Sequence, residues 1–119
     1  MIIELPYPNK SLNPNRKNGS HWAVTKSAKD SALNTAFILT KQAAVGIKFR
    51  SAPITMTITF IQSDKRHRDL DNLLSSSKSM IDGVARAIGV DDKFFEPVTL
   101  KRAYNTSQSA TIMELTQNV

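Results

Sequence analysis

The chain has 119 residues, a formal net charge of +6 at pH 7, 40% hydrophobic residues and no cysteine. This length and composition indicate one globular domain over residues 1–119 and exclude a disordered chain. Without cysteine, disulfides, thiol catalysis and cysteine-ligated zinc are excluded. No stretch approaches the ~20 apolar residues of a membrane-spanning helix, and the first residues lack a signal-peptide pattern, so we expect a soluble, cytoplasmic protein.

The first twenty residues predict a strand followed by an N-terminal loop that carries three cations. The apolar run over residues 2–5 is typical of a short strand, and Pro6 ends it. Residues 9–20 are rich in Asn, Ser, Pro and Gly, which predicts a loop. The cations of this loop are Lys10, Arg16 and Lys17.

A helix and a strand follow the loop. Ser27, with Asp30 three residues later, predicts a helix start, and apolar positions then recur at helical spacing until Gly46, a predicted stop. Over residues 54–60, apolar side chains alternate with threonine, which predicts a strand with one apolar face. This strand has the clearest pattern in the chain, and we expect its apolar face to lie in the core.

A second helix and two strands complete the predicted order. Apolar residues recur at helical spacing over residues 70–88, and Gly89 is placed to end that helix. Gly83 costs a helix about 1 kcal/mol relative to alanine, so we expect another element to pack closely there. Residues 98–104 and 111–115 predict the last strands. The order β-α-β-α-β-β predicts an α+β fold, with a mixed sheet and two helices packed on one face.

The strongest chemical signal is an acidic motif that directly follows a basic one. The run Lys65-Arg66-His67-Arg68 leads into Asp69-Leu70-Asp71-Asn72 at the start of the second predicted helix. Residues 64–96 hold seven acidic side chains against six basic ones, whereas the remainder holds ten basic against three acidic. An acidic centre in a basic body is typical of a metal-dependent enzyme that acts on a polyanion.

A second acidic pair, Asp91-Asp92, follows the predicted end of that helix. The helix would be roughly 25 Å long, so only a returning chain can bring this pair to Asp69 and Asp71. Mg²⁺ prefers oxygen ligands, and a metal held by carboxylates can activate water and stabilise charge on a phosphodiester. We therefore expect the aspartates to hold magnesium beside a nucleic-acid backbone, which the basic run contacts.

Each part of this interpretation has a structural alternative. Asp69 can cap the helix by accepting from its free backbone amides, and Asp-Asp after glycine is ordinary turn chemistry. Lys65, Arg66 and Arg68 can belong to a solvated loop that binds nothing. His67 can be a further contact to the nucleic-acid backbone or a surface residue. Spacing alone leaves these alternatives open.

The same residues resemble the RusA family of Holliday junction resolvases. The resemblance rests on the basic run, Asp69-Leu70-Asp71-Asn72-Leu73, the helix that follows, and Gly89-Val90-Asp91-Asp92. The opening Leu5-Pro6-Tyr7-Pro8 with Ser11-Leu12-Asn13 is also similar, as are the length and element order. The resemblance implies a homodimeric, magnesium-dependent endonuclease that binds four-way DNA junctions and resolves them by paired nicks in recombination and repair.

The resemblance also implies roles for individual residues. The family's catalytic, metal-binding aspartates correspond to Asp69, Asp71 and Asp92. The family's lysine, four residues after the second aspartate, is replaced here by Ser75. In a continuous helix, Lys78 shares the flank of Asp71 and is our candidate for the missing amine, whereas an ion pair with Asp82 at i+4 is the alternative.

Two other functions stay open. Loss of the lysine at Ser75 would leave a junction-binding protein of the same fold that no longer cuts. A phosphohydrolase acting on small phosphates is the third function, which the broad basic surface disfavours because a nucleotide needs few contacts. In the first two functions the DNA-binding cations would be Lys65, Arg66, Arg68, Lys10, Arg16 and Lys17.

Overall fold

The structure is a computed structural model that describes residues 1–13 and 22–118, and the backbone alone at Trp22. The strands in these residues are β1 (Ile2–Leu5), β2 (Ile54–Gln62), β3 (Phe95–Tyr104) and β4 (Ala110–Thr116). The α-helices are α1 (Trp22–Ala43), α2 (Leu70–Ser76) and α3 (Lys78–Ile88), and short 3-10 helices cover Lys10–Leu12 and Asp92–Phe94. The predicted α+β class is confirmed, with the second helix in two pieces. In the described ranges, no helix is both long and apolar enough to cross a membrane.

The strands form one mixed sheet in the order β1-β4-β2-β3. Strand β4 is antiparallel to both neighbours, whereas β2 and β3 are parallel because the helices between them return the chain across the sheet. The register pairs Ile54 with Phe95 at one end of β2 and Gln62 with Tyr104 at the other. Strand β3 therefore forms one edge of the sheet, and most of its side chains are exposed.

The core lies on the face of the sheet that packs against the helices. Every second side chain of β2 is buried. The fully enclosed apolar side chains of this strand are Ile54, Met56, Ile58 and Phe60. Burial of such side chains stabilises the fold by roughly 1.5–3 kcal/mol each. The predicted alternation of this strand is therefore confirmed, and Met80 and Met113 join the same core.

Helix α3 packs on α1 through Gly83. A Cβ at this position would lie 2.3 Å from the backbone oxygen of Leu33 and 2.9 Å from the Cβ of Ala36. Only a residue without a side chain allows two helices to approach this closely. The close neighbour expected at Gly83 is therefore confirmed, and it is α1.

The predicted start of the first helix is wrong. Helix α1 begins at Trp22, so Ser27 lies inside it. Asp30 accepts from Lys26 Nζ at 2.8 Å, one turn away, instead of completing a capping box. Residues that favour helix caps also occur on exposed helix faces, where an ion pair at i+4 suits them equally well.

The helix predicted over residues 70–88 is interrupted at Ser77, where φ is −99° and ψ is 0°. The Ser77 hydroxyl donates to the backbone oxygen of Leu73 at 2.8 Å, a local bond that competes with regular helix geometry. The apolar side chains on both sides of this break nevertheless pack against the same core. The shared flank of Asp71 and Lys78 was projected across the break at 100° per residue, and it stays a prediction. The predicted stop at Gly89 is confirmed, with φ at 72°.

Candidate metal and nucleic-acid site

The acidic motif lies where the chain leaves β2 and enters α2. Asp69 occupies the N-cap position with extended backbone, φ −69° and ψ 132°, and Asp71 lies in the first turn of the helix. The alternative position of Asp69 as a helix cap is confirmed, but its side chain makes no capping hydrogen bond to the free backbone amides. Both side chains are exposed. Two carboxylates therefore face solvent at the start of one short helix.

A short relay from β3 orients Asp69. Arg102 Nη1 lies 2.9 Å from His67 Nδ1, and His67 Nε2 lies 3.2 Å from Asp69 Oδ1. Because a guanidinium only donates, Nδ1 must accept, so the neutral imidazole has its proton on Nε2 and donates to Asp69. Arg102 also donates to the backbone oxygen of Arg68 at 2.7 Å. His67 is exposed, as expected, and it also positions a carboxylate.

The basic loop, residues 64–68, has a conformation fixed by its neighbours. Buried Gln62 donates to the backbone oxygens of Asp64 at 2.9 Å and Arg66 at 2.6 Å. Lys65 Nζ lies 5.3 Å from the centre of the Tyr104 ring, where the face of the ring attracts a cation. The ends of β2 and β3 therefore hold the loop that precedes the acidic motif.

Arg68 is paired within the loop. Its Nη1 and Nη2 donate to Asp64 Oδ1 at 2.7 Å and Oδ2 at 3.2 Å. The hydrogen bond from Arg68, followed by that from the Arg66 backbone, lowers the pKa of Asp64 to about 2. The same hydrogen bond raises the pKa of Arg68. A phosphate would therefore compete with Asp64 for Arg68, whereas the side chains of Lys65 and Arg66 are exposed.

An open groove runs beside the acidic motif. It is lined by Asn13, Arg66, His67, Asp69, Asn72 and Ser76. Lys10, in the short helix that precedes Asn13 and contacts α2, is exposed. The predicted DNA contacts Arg16 and Lys17 lie outside the described residues.

Lys78 is exposed at the start of α3, one residue after the break. Among the described residues it makes no ion pair with Asp82, so that alternative is wrong. Ser75 is exposed near the end of α2. The two positions considered for an amine therefore belong to two different helices.

The second acidic pair lies between α3 and β3. Asp91 Oδ1 accepts from the backbone N–H of Lys93 at 3.0 Å, which is the turn role considered for it. This bond is the main cause of the lowered pKa of Asp91. The pKa of Asp92 is raised, first by its hydrogen bond with Asp91, then by burial and by the charges of Asp91 and Asp82. Asp92 is therefore the first of the pair to take up a proton as the pH falls.

The two acidic groups lie at opposite ends of the sheet. Arg102, which contacts His67 beside Asp69, pairs with Phe60 of β2. Asp92 lies just before Phe95, which pairs with Ile54 at the other end of β2. At about 3.3 Å per residue, Ile54 and Phe60 are roughly 20 Å apart along the strand. In residues 1–13 and 22–118, no group of three or more His, Cys, Asp or Glu could hold a metal ion. Strand β3 begins at Phe95, three residues after Asp92, and ends near Asp69, so its length separates these carboxylates within one chain.

Asp69 and Asp71 can supply two of the oxygen ligands that a hard divalent cation needs. Asp69 Oδ1 is bonded to His67, and Asp71 Oδ1 accepts from the Asn72 backbone at 3.0 Å, which leaves Oδ2 of each side chain without a partner in the described structure. Magnesium is commonly bound by one or two carboxylates, with waters and substrate phosphate as its other ligands. The donor set therefore suits magnesium beside a phosphate.

Sequence reasoning missed Gln62, Arg102 and Tyr104. Arg102 and Tyr104 lie two residues apart on β3, so their side chains share the face of the sheet toward the loop. That alternation was visible in the sequence. Their contact with the loop was not, because it depends on the register between β2 and β3.

No family model matches the chain. An uncharacterized protein from Xylella fastidiosa is 32% identical to it over 97 residues. The alignment covers 78% of this chain and 61% of the relative, so the chain spans less than two thirds of the relative's length. The description of that relative names no activity.

Proposed function

We propose that the protein is a magnesium-dependent endonuclease that binds four-way DNA junctions and resolves them by paired nicks in recombination and repair. The observation that supports this most is the basic loop fixed directly beside two exposed carboxylates, Asp69 and Asp71. Phosphate-binding charge and metal ligands in one place are what phosphodiester hydrolysis requires. The resemblance to RusA resolvases supports the four-way junction as the substrate.

Each residue of the site has a distinct part in this function. Lys65 and Arg66 bind backbone phosphates, and the groove beside Asp69 receives the strand to be cut. Asp69 and Asp71 hold magnesium, which when bound polarises the phosphate and lowers the pKa of an attacking water. His67 keeps Asp69 in position. Lys78 is the candidate to supply the amine of the family's lysine, whose position is occupied here by Ser75.

Paired nicks need two equivalent sites. A closed homodimer supplies them, because a twofold axis relates identical surfaces and presents the same carboxylates to two strands. We therefore include a homodimer in the proposed function.

Replacement of Asp71 by asparagine tests this function. Asp71→Asn removes one metal-binding charge, so we expect the rate of junction nicking to fall at least about 100-fold. Wild type and variant are incubated with labelled four-way and linear DNA, with and without magnesium. Asp30→Asn, on the exposed face of α1, is the control and keeps the wild-type rate. Equal cleavage by wild type and Asp71→Asn would contradict the proposal.

A junction-binding protein that does not cut is the second candidate, and the serine at position 75 favours it. In that case wild type binds four-way DNA with a strong dependence on salt and produces no nicks with magnesium. Asp71→Asn then binds at least as tightly as wild type, because it removes a negative charge beside the phosphates.

A further inference from the structure

The donors around the Asp64 carboxylate have the arrangement that a phosphate needs. Asp64 Oδ1 accepts from Arg68 Nη1 at 2.7 Å and from the Arg66 backbone N–H at 3.0 Å, and Asp64 Oδ2 accepts from Arg68 Nη2 at 3.2 Å. Three donors therefore converge on two oxygens that share one negative charge. A phosphodiester also has two oxygens that share one charge, and arginine binds carboxylate and phosphate with the same paired geometry.

The Asp64 carboxylate can leave these donors without a change in the loop backbone. Gln62 donates to the backbone oxygens of Asp64 at 2.9 Å and Arg66 at 2.6 Å, and neither bond involves the Asp64 side chain. The Asp64 side chain is 47% exposed, so a rotation can return its carboxylate to water. Because solvent screens the pair with Arg68, its loss costs little free energy.

A buried hydroxyl beside the pair lacks an acceptor. Tyr7 Oη is buried and has no hydrogen-bond partner in the described part of the chain. Burial raises the pKa of Tyr7, and the charges of Arg68 and Asp64 then act on it in opposite directions, so the hydroxyl lies near this pair. An unsatisfied buried donor costs free energy. A phosphate has more oxygens than a carboxylate and can supply the missing acceptor.

We propose that Arg68, the Arg66 backbone N–H and the Tyr7 hydroxyl form a phosphate-binding site that Asp64 closes in the free protein. A phosphate opens the site by displacing the Asp64 carboxylate from Arg68. Asp64 thereby disfavours isolated phosphates, whereas a strand that is held at several phosphates overcomes the competition. The assignment of a DNA phosphate to this site rests on the proposed function, but the competition between Asp64 and phosphate does not.

Asp64→Asn tests the competition, because it removes the charge and keeps the size of the side chain. We expect the affinity for labelled four-way DNA, measured by fluorescence anisotropy without magnesium, to rise about 5-fold. Asp30→Asn on α1 removes the same charge from an exposed pair with Lys26 and is the control. It should change the affinity less than about 2-fold, because salt screens distant charges. Equal affinities of the two variants would overturn the proposal.

Arg68→Gln shows whether the gain depends on the guanidinium. In this background Asp64→Asn should raise the affinity no more than the control does, because no guanidinium is released. A gain that persists would arise from charge alone and overturns the competition. Tyr7→Phe removes only the hydroxyl and should lower the affinity of Asp64→Asn about 3-fold. An unchanged affinity would exclude Tyr7 from the site.

Inorganic phosphate separates this proposal from the proposed function. The guanidinium N–H signals of Arg68 are followed by NMR as phosphate is added at constant ionic strength. Asp64→Asn should reach half-saturation at about one fifth of the phosphate concentration that wild type needs. Half-saturation at the same concentration in both proteins overturns the competition. If neither protein binds four-way DNA, the proposed function fails, and the phosphate titration alone decides whether Asp64 closes the site.

Discussion

The ion pair between Arg68 and Asp64 shows how single side chains shape the basic loop. The guanidinium contacts both carboxylate oxygens, yet the two side chains are 31% and 47% exposed. Solvent screens a pair of this kind, so its net contribution to the free energy of unfolding is small. Its main effect is on conformation, because it holds the two ends of the loop together before the acidic motif begins.

Replacement of Arg68 by glutamine should return the pKa of Asp64 from about 2 toward its ordinary value of 3.8. Because the pKa is depressed in the folded protein, the pair stabilises the fold above about pH 4, and this stabilisation is lost as the pH falls toward 2. An NMR titration of the Asp64 carboxyl carbon measures the change. Arg86→Gln, at an exposed position on α3, is the matched control. An unchanged pKa of Asp64 in Arg68→Gln would show that a group other than Arg68 lowers it.

Replacement of Gly83 by alanine should destabilise the protein. Helix propensity alone predicts a gain of about 1 kcal/mol, but the new Cβ would lie 2.3 Å from the Leu33 backbone oxygen. A backbone atom cannot move aside without displacing α1, so we expect a net loss of about 1–3 kcal/mol in the free energy of unfolding. Urea unfolding measures it, with Arg86→Ala as an exposed control on the same helix. A stabilised Gly83→Ala protein would refute the close helix contact.

At the scale of elements, β3 has two roles that meet at its C-terminal end. It is an edge strand, and its last residues support the loop that follows β2. Arg102 reaches His67 and the Arg68 backbone, and Tyr104 lies against Lys65. The parallel register makes this possible, because strands that run in the same direction end at the same side of the sheet.

Replacement of Arg102 by alanine should allow the neutral His67 ring to populate both tautomers. Without the donor at Nδ1, the proton of the neutral ring distributes between the two nitrogens instead of remaining on Nε2. Nitrogen-15 chemical shifts of the neutral imidazole measure this ratio. Arg86→Ala again serves as the control for loss of one positive charge. If the shifts of His67 stay as in wild type, Arg102 does not position the ring.

For the whole molecule, local periodicity was sufficient to predict the order of elements. The alternation in β2 and the apolar stripe of residues 70–88 are properties of neighbouring residues, and both appear in the structure. The break at Ser77 was not predictable in the same way, because a serine in a helix can bond to its own backbone or leave the helix intact. The start of α1 was missed because Ser27 suits a cap and a helix interior alike.

For the candidate site too, contacts between neighbours in sequence could be predicted, whereas contacts that depend on the register of the strands could not. Asp69 and Asp71 are neighbours in sequence, so their proximity at the start of α2 could be predicted. The support from Gln62 and Arg102 depends on which residues of β2 and β3 pair, and sequence spacing does not determine that register. The position of Asp92 depends on the direction of β3, which separates it from Asp69 within one chain.

The central position of β4 affects how the chain folds. Among the described residues, strand β1 pairs with β4 alone, and Ile2 lies opposite Glu114, so this contact joins residues that are far apart in the sequence. Contacts between residues so distant in sequence form slowly. Ile3 and Leu5, each 2% exposed in the folded protein, stay in water until then. We expect β1 to dock last, which leaves an apolar segment available to chaperones while the chain emerges from the ribosome.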